Sequence, residues 1–168
     1  MLGCATANSA QNRNVTGKVV KKYPSCLEMA ERRSQRSEEL KRIYREDQLD
    51  RKPPIDWDIV TKKDEQRIKR VAEIFAEGCF QTADDYAVAA MIFQHGTVPD
   101  HYYQAFLWAK KSFDLGRQDQ SQMIANAVDR YLIESGQKQL FAAQSFRNGP
   151  NDCHCLGETE PSFPDKLR

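Results

Sequence analysis

TADDYAVAAMIFQHG, residues 82–96, is the stretch whose reading decides the fold. Thr82 followed three residues later by Asp85 has the spacing of a reciprocal cap, in which each end residue satisfies the other's free backbone N–H. The run Ala87 to Phe93 is apolar throughout. Gln94-His95 then closes the helix in front of Gly96, a residue suited to turning the chain out of a helix. Two polar side chains at the end of an apolar helix need partners, because a bare buried polar group costs several kcal/mol, on the order of its desolvation penalty.

Outward from this stretch the same punctuation recurs. Gly78, Gly96, Gly116 and Gly136 separate segments of similar length. Thr61 with Asp64 opens a helix in which Ile68, Val71, Ala72 and Phe75 share one face. Pro99-Asp100 starts another, with Tyr103, Phe106, Leu107 and Phe113 on one side, and the aromatic set Tyr102, Tyr103, Phe106 and Trp108 reads as core with one amphipathic edge. Asp119 to Ser135 forms a fifth. Upstream, Ser25 to Lys52 is rich in helix formers but has only a thin apolar stripe, including Leu40 and Ile43, and Pro53-Pro54 ends it. Trp57 is expected to staple that linker to the bundle. Only Gln139 to Phe146 hints at a strand. Short turns between helices force neighbours to run antiparallel. The expectation is an all-α fold, a compact antiparallel bundle of five to six helices with irregular N- and C-terminal tails. Residues 1–24 read as a disordered lead, 25–147 as a single helical domain and 148–168 as an irregular tail. One segment, Gln104 to Lys111, looks like a unit of a helical solenoid, but such arrays need about three units to bury a core.

Composition narrows the function classes. The 168 residues carry a net charge of +1, and mean hydropathy is −0.73. Residues 1–72 hold 17 Lys+Arg against 11 Asp+Glu, and the remainder 8 against 13. A basic helix lying on an acidic partner within the chain accounts for that asymmetry. The basic residues lack the interleaved aromatics of a nucleic-acid surface, so no nucleic-acid partner is expected. Five cysteines are present. Cys153-His154-Cys155 is half of a metal site without a second half nearby, so neither metal nor cofactor is expected. A disulfide among the four cysteines beyond Cys4 fits an exported protein.

Met1-Leu2-Gly3-Cys4-Ala5 resembles the end of a bacterial lipoprotein signal, without the charged and apolar regions that precede such a box. That resemblance implies membrane attachment through a lipidated Cys4, residues 5–24 as a tether, and a folded part in the cell envelope or periplasm; the alternative is a cytoplasmic protein.

Polar residues in apolar company mark the candidate site. Asp129-Arg130 interrupts an apolar helix, as Gln94-His95 ends one. Asp47-Gln48-Leu49-Asp50-Arg51, Gln94-His95, Asp129-Arg130, Gln139 and Gln144 occur in this order over about residues 27–146. They resemble a bacterial family known only as a domain of unknown function, whose motifs run Asp-Gln-x-x-Arg, Gln-His, Asp-Arg and Gln-x-Tyr-Gly-Thr-Gln. The last motif departs from that pattern here, where Phe141-Ala142-Ala143-Gln144 stands. A tyrosine hydroxyl, a threonine hydroxyl and a permissive glycine are thereby lost.

The residue types themselves allow binding chemistry. Arg51 or Arg130 can clamp a carboxylate or phosphate, and Gln94, Gln139 and Gln144 offer amides to a polar ligand. His95 can exchange protons near neutral pH, with Asp129 as its orienting partner or as a base. The favoured function is a small-ligand or protein-interaction module organised around Arg51, Gln94, His95, Asp129, Arg130, Gln139 and Gln144. The alternative is a hydrolase-like enzyme using His95 and Asp129 as an acid/base pair. A purely structural reading stands beside both: His95 as a helix cap, Asp47 and Arg51 as a surface pair at i, i+4 worth about 0.3–0.5 kcal/mol, and the glutamines satisfying backbone groups.

Overall fold

The computed structural model describes Cys26, residues 29–146 and residues 155–167. The lead at 1–24 with Cys4, and the residues Cys153 and His154, lie outside the described residues. Among the described residues there are five α-helices: α1 Ala30–Asp50, α2 Trp57–Ala76, α3 Ala83–Gln94, α4 Pro99–Asp114 and α5 Ser121–Glu134. They form the expected all-α antiparallel bundle. A two-stranded ribbon, β1 Ser145–Phe146 with β2 Cys155–Leu156, is the small exception. No helix among the described residues is long and apolar enough to cross a membrane.

α3 is the central helix, and its local sequence explains its start. Thr82 and Asp85 make the full capping box, and the Asp85 carboxylate also accepts from Ser37 Oγ of α1 at 2.7 Å. Ala89 and Ala90 of α3, Ala105 and Ala109 of α4 and Ala127 of α5 are all fully buried in one core. Such small side chains let neighbouring helices approach closely, and larger ones fill the gaps. Trp108 is the aromatic hub, with ring centroids 5.2 Å from Phe75, 5.3 Å from Phe80 and 4.6 Å from Phe93.

Several expectations are corrected. α2 begins at Trp57, not Thr61, because the Asp56 carboxylate caps it by accepting from the Ile59 N–H. Asp64 therefore lies inside the helix and turns inward. Trp57, expected to staple the linker to the bundle, is instead 59% exposed at the start of α2. On α4 the buried face is Tyr102, Ala105, Trp108, Ala109 and Ser112, whereas Tyr103 and Leu107 are exposed. The apolar residues alone pointed to a face rotated by about one position; Ser112 belongs to the inside because its hydroxyl donates to the Ala83 carbonyl at 2.7 Å. Gly78, Gly116 and Gly136 adopt positive φ. Gly96 answers a different need: a Cβ there would meet His101 Nδ1 at 2.3 Å.

α1 is not a basic helix on an acidic partner. Its own charges balance, and it meets α2 through interleaved ions. Arg36 pairs with Glu77 at 2.7 Å, and Arg70 pairs with Glu39 at 2.7 Å. Further down the same interface, Lys63 and Arg67 both pair with Asp50. Cys26 is joined to Cys79 by a buried disulfide, which ties the chain before α1 to the α2–α3 connection. The segment 155–167 returns onto the domain. Glu160 N–H donates to the Gln139 carbonyl at 2.8 Å, and Phe163 packs on Phe141 with centroids 5.3 Å apart.

Closing 53 residues of sequence, the Cys26–Cys79 bridge should contribute about 4 kcal/mol by restricting the unfolded chain. Cys26→Ser with Cys79→Ser is expected to lower the urea midpoint by a corresponding amount with the helical circular dichroism retained; an unchanged midpoint would refute this.

Candidate functional site

The buried stripe of α1 reads Leu40, Ile43, Asp47. The spacing i, i+3, i+7 therefore puts a carboxylate where an apolar residue would continue the row. Asp47 is 0% exposed, and its oxygens are fully engaged. Oδ1 accepts from Arg51 Nη1 at 2.7 Å and from His95 Nδ1 at 3.0 Å, and Oδ2 accepts from Gln48 Nε2 at 2.8 Å. Arg51 reaches on with Nη2 to Asp64 Oδ2 of α2 at 2.6 Å, and Arg67 Nη1 donates to Asp64 Oδ1 at 3.0 Å. One guanidinium thus bridges two carboxylates, and α1, α2 and the end of α3 meet at Asp47.

Burial pushes the Asp47 carboxyl up, but the hydrogen bond and charge of His95, with the charge of Arg51 and the Gln48 bond, outweigh it. Its pKa is held below the ordinary 3.8. A carboxylate bonded to Nδ1–H fixes the neutral imidazole in the tautomer whose Nε2 carries the lone pair. Nε2 has no hydrogen-bond partner among the described residues.

Asp129, by contrast, makes no hydrogen bond or ion pair with His95 among the described residues. It is 0% exposed and faces the segment after α5. Its carboxylate accepts from the backbone N–H groups of Leu140 at 2.7 Å, Phe141 at 3.0 and 3.2 Å, and Ala143 at 2.8 Å. Successive N–H groups converging on one anion form a nest, and a left-handed residue is part of such a turn. That residue is Ala142, at φ 59°. Gln139, also fully buried, secures the same segment: Nε2 donates to the Gln144 and Gly157 carbonyls at 3.1 and 2.7 Å, and Oε1 accepts from the Gln144 N–H at 2.9 Å. The expected pairing of His95 with Asp129 is thus replaced by His95 with Asp47, because the nest saturates Asp129.

These two supports frame an open cleft of about 690 Å³. Arg51, Gln94, His95, Arg130 and Gln144 line it, so the fold brings five of the seven anticipated ligand-binding residues together. Asp129 and Gln139 stand behind its wall. Met91, Met123 and Ile133 supply apolar lining, and Trp57 and Phe146 stand exposed beside it. Arg130 Nη1 donates to the Gln94 carbonyl at 2.5 Å, and its guanidinium lies 5.4 Å from the centroid of the Tyr102 ring. The Tyr102 hydroxyl donates to the Gly96 carbonyl at 2.5 Å. Burial pushes the Tyr102 phenol above its ordinary value, opposed by Arg130 and reinforced by Glu134. Gln94 is only 6% exposed, yet its side-chain Oε1 has no hydrogen-bond partner among the described residues.

Sequence reasoning placed neither Asp47 nor Asp64 in the site, and it missed Tyr102 and Asn126 as lining residues. A signal for Asp47 was present, since it continues the Leu40–Ile43 row. No local signal distinguishes Asp64, whose partner Arg51 comes from another helix. Asp47, Asp64 and His95 bring ligand atoms within 4.8 Å of one another, a set that in other surroundings would suit a divalent cation. Here Arg51 already bridges the two carboxylates. The second such group, Cys26, Glu77 and Cys79, has its sulfurs in a disulfide and Glu77 on Arg36.

No family model, curated protein or solved structure matches this chain.

Two predictions follow from the paired supports. Asp47→Asn should cost about 3–5 kcal/mol near neutral pH, because it strands buried cationic partners. A depressed folded-state pKa means that this stability is present above the unfolded carboxyl's value and is lost as pH falls through the folded one. The gap between wild type and variant in urea unfolding should therefore shrink only below the ordinary 3.8; a gap that is constant to lower pH would contradict the ionised node. At the other support, an alanine in the left-handed region is strained, so Ala142→Gly is expected to stabilise the protein by roughly 1 kcal/mol. A lower melting temperature for that variant would show that the turn does not need a residue of glycine's freedom.

Proposed function

We propose that this protein is a small-ligand-binding module whose site is the cleft between the ends of α1 and α3, the faces of α4 and α5 and the segment 143–146. The observation that carries the reading is the gathering of Arg51, Gln94, His95, Arg130 and Gln144, from four separate parts of the chain, onto one concave surface of about 690 Å³. Such a volume lies in the range of small-molecule sites, which combine apolar walls with a few polar groups. The buried network behind it supports the same reading, since Asp47 fixes Arg51 and His95 while Asp129 and Gln139 hold the rim. A site needs such a second layer to hold its groups in position.

The resemblance to the domain of unknown function belongs to this proposal. The position where that family has glycine is Ala142, and its φ of 59° is one that favours glycine. The compartment we propose is the cell envelope. A buried disulfide is at home where thiols are oxidised, and the lipoprotein-like box at Cys4 agrees with it.

One observation favours a second reading, an acid/base enzyme. His95 Nδ1 is held by a fully buried carboxylate at 3.0 Å, and Nε2 is left for a substrate. In that reading Asp47, not Asp129, orients the imidazole, and His95 is the general base.

A library of polar metabolites screened by thermal shift tests both readings. A ligand present at a hundred times its Kd should stabilise the wild type by about 2.7 kcal/mol. Ser145→Trp, which fills the cleft from an exposed position, should abolish that shift. Binders that are recovered chemically changed, but remain unchanged with His95→Gln, would select the enzyme. Shifts that persist in Ser145→Trp would remove the cleft as the site.

A further inference from the structure

The cleft contains two arginines in different electrical states. The Arg51 guanidinium is divided between Asp47 at 2.7 Å and Asp64 at 2.6 Å. Arg67 behind it pairs with Asp64 and Asp50, and Arg36 and Arg70 in the α1–α2 interface each have glutamates. Arg130 has no carboxylate within ion-pair distance among the described residues. Its neighbour Asp129 is turned away into the backbone nest. Glu134, one turn further along α5, lines the cleft and is exposed without pairing to it. Asp64 and His95, which also line the cleft, are engaged with Arg51, Arg67 and Asp47.

Arg130 is nonetheless held rigidly. The Nη1 bond to the Gln94 carbonyl and the Tyr102 ring against the guanidinium fix its position from two sides. Nε and Nη2 donate to nothing among the described residues. A half-buried guanidinium of fixed orientation with two unused donors is a fork prepared for a planar or tetrahedral oxyanion. Its lack of a counter-ion leaves part of its desolvation cost uncompensated until an anion arrives. The cleft offers further hydrogen-bonding groups in His95 Nε2 and the Gln144 side chain, and apolar contact from Met91 and Met123.

We propose that Arg130 is the anion clamp of the cleft, and that its ligand class is a small hydroxylated molecule bearing a carboxylate or a phosphate. This rests on the ligand-binding reading above and specifies the chemistry of its ligand. Arg51, the other arginine of the expected pair, serves as the structural bridge.

Calorimetric titration of the full chain with D-gluconate, D-glucose 6-phosphate and D-glucose tests it, since the three have similar hydroxylated bodies and differ in the anionic group. At least one of the two anions should bind, with glucose about tenfold weaker or more, and Arg130→Gln should remove that difference. Preference for gluconate would assign a carboxylate, and preference for the phosphate ester a phosphate. Glu134→Gln provides a second readout at an exposed position: loss of the rim charge should strengthen anion binding and leave glucose unaffected. Failure of both anions to bind would overturn the proposal, as would Arg130→Gln binding an anion as tightly as wild type. Glucose bound by wild type as tightly as the better anion would also overturn it, while leaving the cleft as a ligand site. Only silence across the metabolite library as well would remove both.

Discussion

The buried Asp47 carboxylate is the constraint on which the rest of this structure depends. Placing a charge at a fully buried position is unfavourable by several kcal/mol unless its lone pairs are satisfied and its charge is met. Arg51, His95 and Gln48 do this directly, and Arg67 stands 3.8 Å from the same carboxylate. These partners come from three helices, so meeting the electrostatic requirement of one side chain determines how α1, α2 and α3 dock. It also explains how α1 packs at all. With Leu40 and Ile43 as its only buried apolar residues, the helix has little hydrophobic surface to offer, and ordered ion pairs define its position instead.

Asp129 solves the same desolvation problem in a different way. Its charge is met by backbone N–H groups rather than cations, so it organises a loop where Asp47 organises helices. Gln139 extends that order to the returning segment at Gly157. The cleft is the space left between the two arrangements, and this explains its mixed character. One wall is a rigid ionic cluster, the other a non-helical segment whose backbone would otherwise lack partners.

The fold was largely legible along the chain because its signals are local. The Thr82–Asp85 cap, the all-round apolar run after it and the glycines between helices each act within a few residues. Readings failed where a local motif had a competitor. Thr61 and Asp64 have cap spacing, but Asp56 captures the helix start, and the Thr61 hydroxyl donates back to the Trp57 carbonyl. On α4, bulky residues suggested one face, and the smaller Ala105, Ala109 and Ser112 took the inside because close helix contacts favour small side chains.

Membership of the candidate site was legible for the same reason that polar residues in apolar surroundings stand out: they cannot be there without partners. Gln94, His95 and Arg130 were recognisable on that ground, Arg51 and Gln144 through the motif order they share with the resembled family, and the five do share a cleft. Which carboxylate would face His95 was not recognisable, since Asp47 and Asp129 are equally plausible when only composition and spacing are known. Tertiary structure decided it. Asp129 lies where four backbone hydrogen bonds reach it, and Asp47 lies opposite the end of α3. Sequence by itself determines which groups require a partner, because burial and charge are properties of the residue and its local pattern. Which partner each obtains depends on distances between elements remote in the chain, and only the folded arrangement sets those.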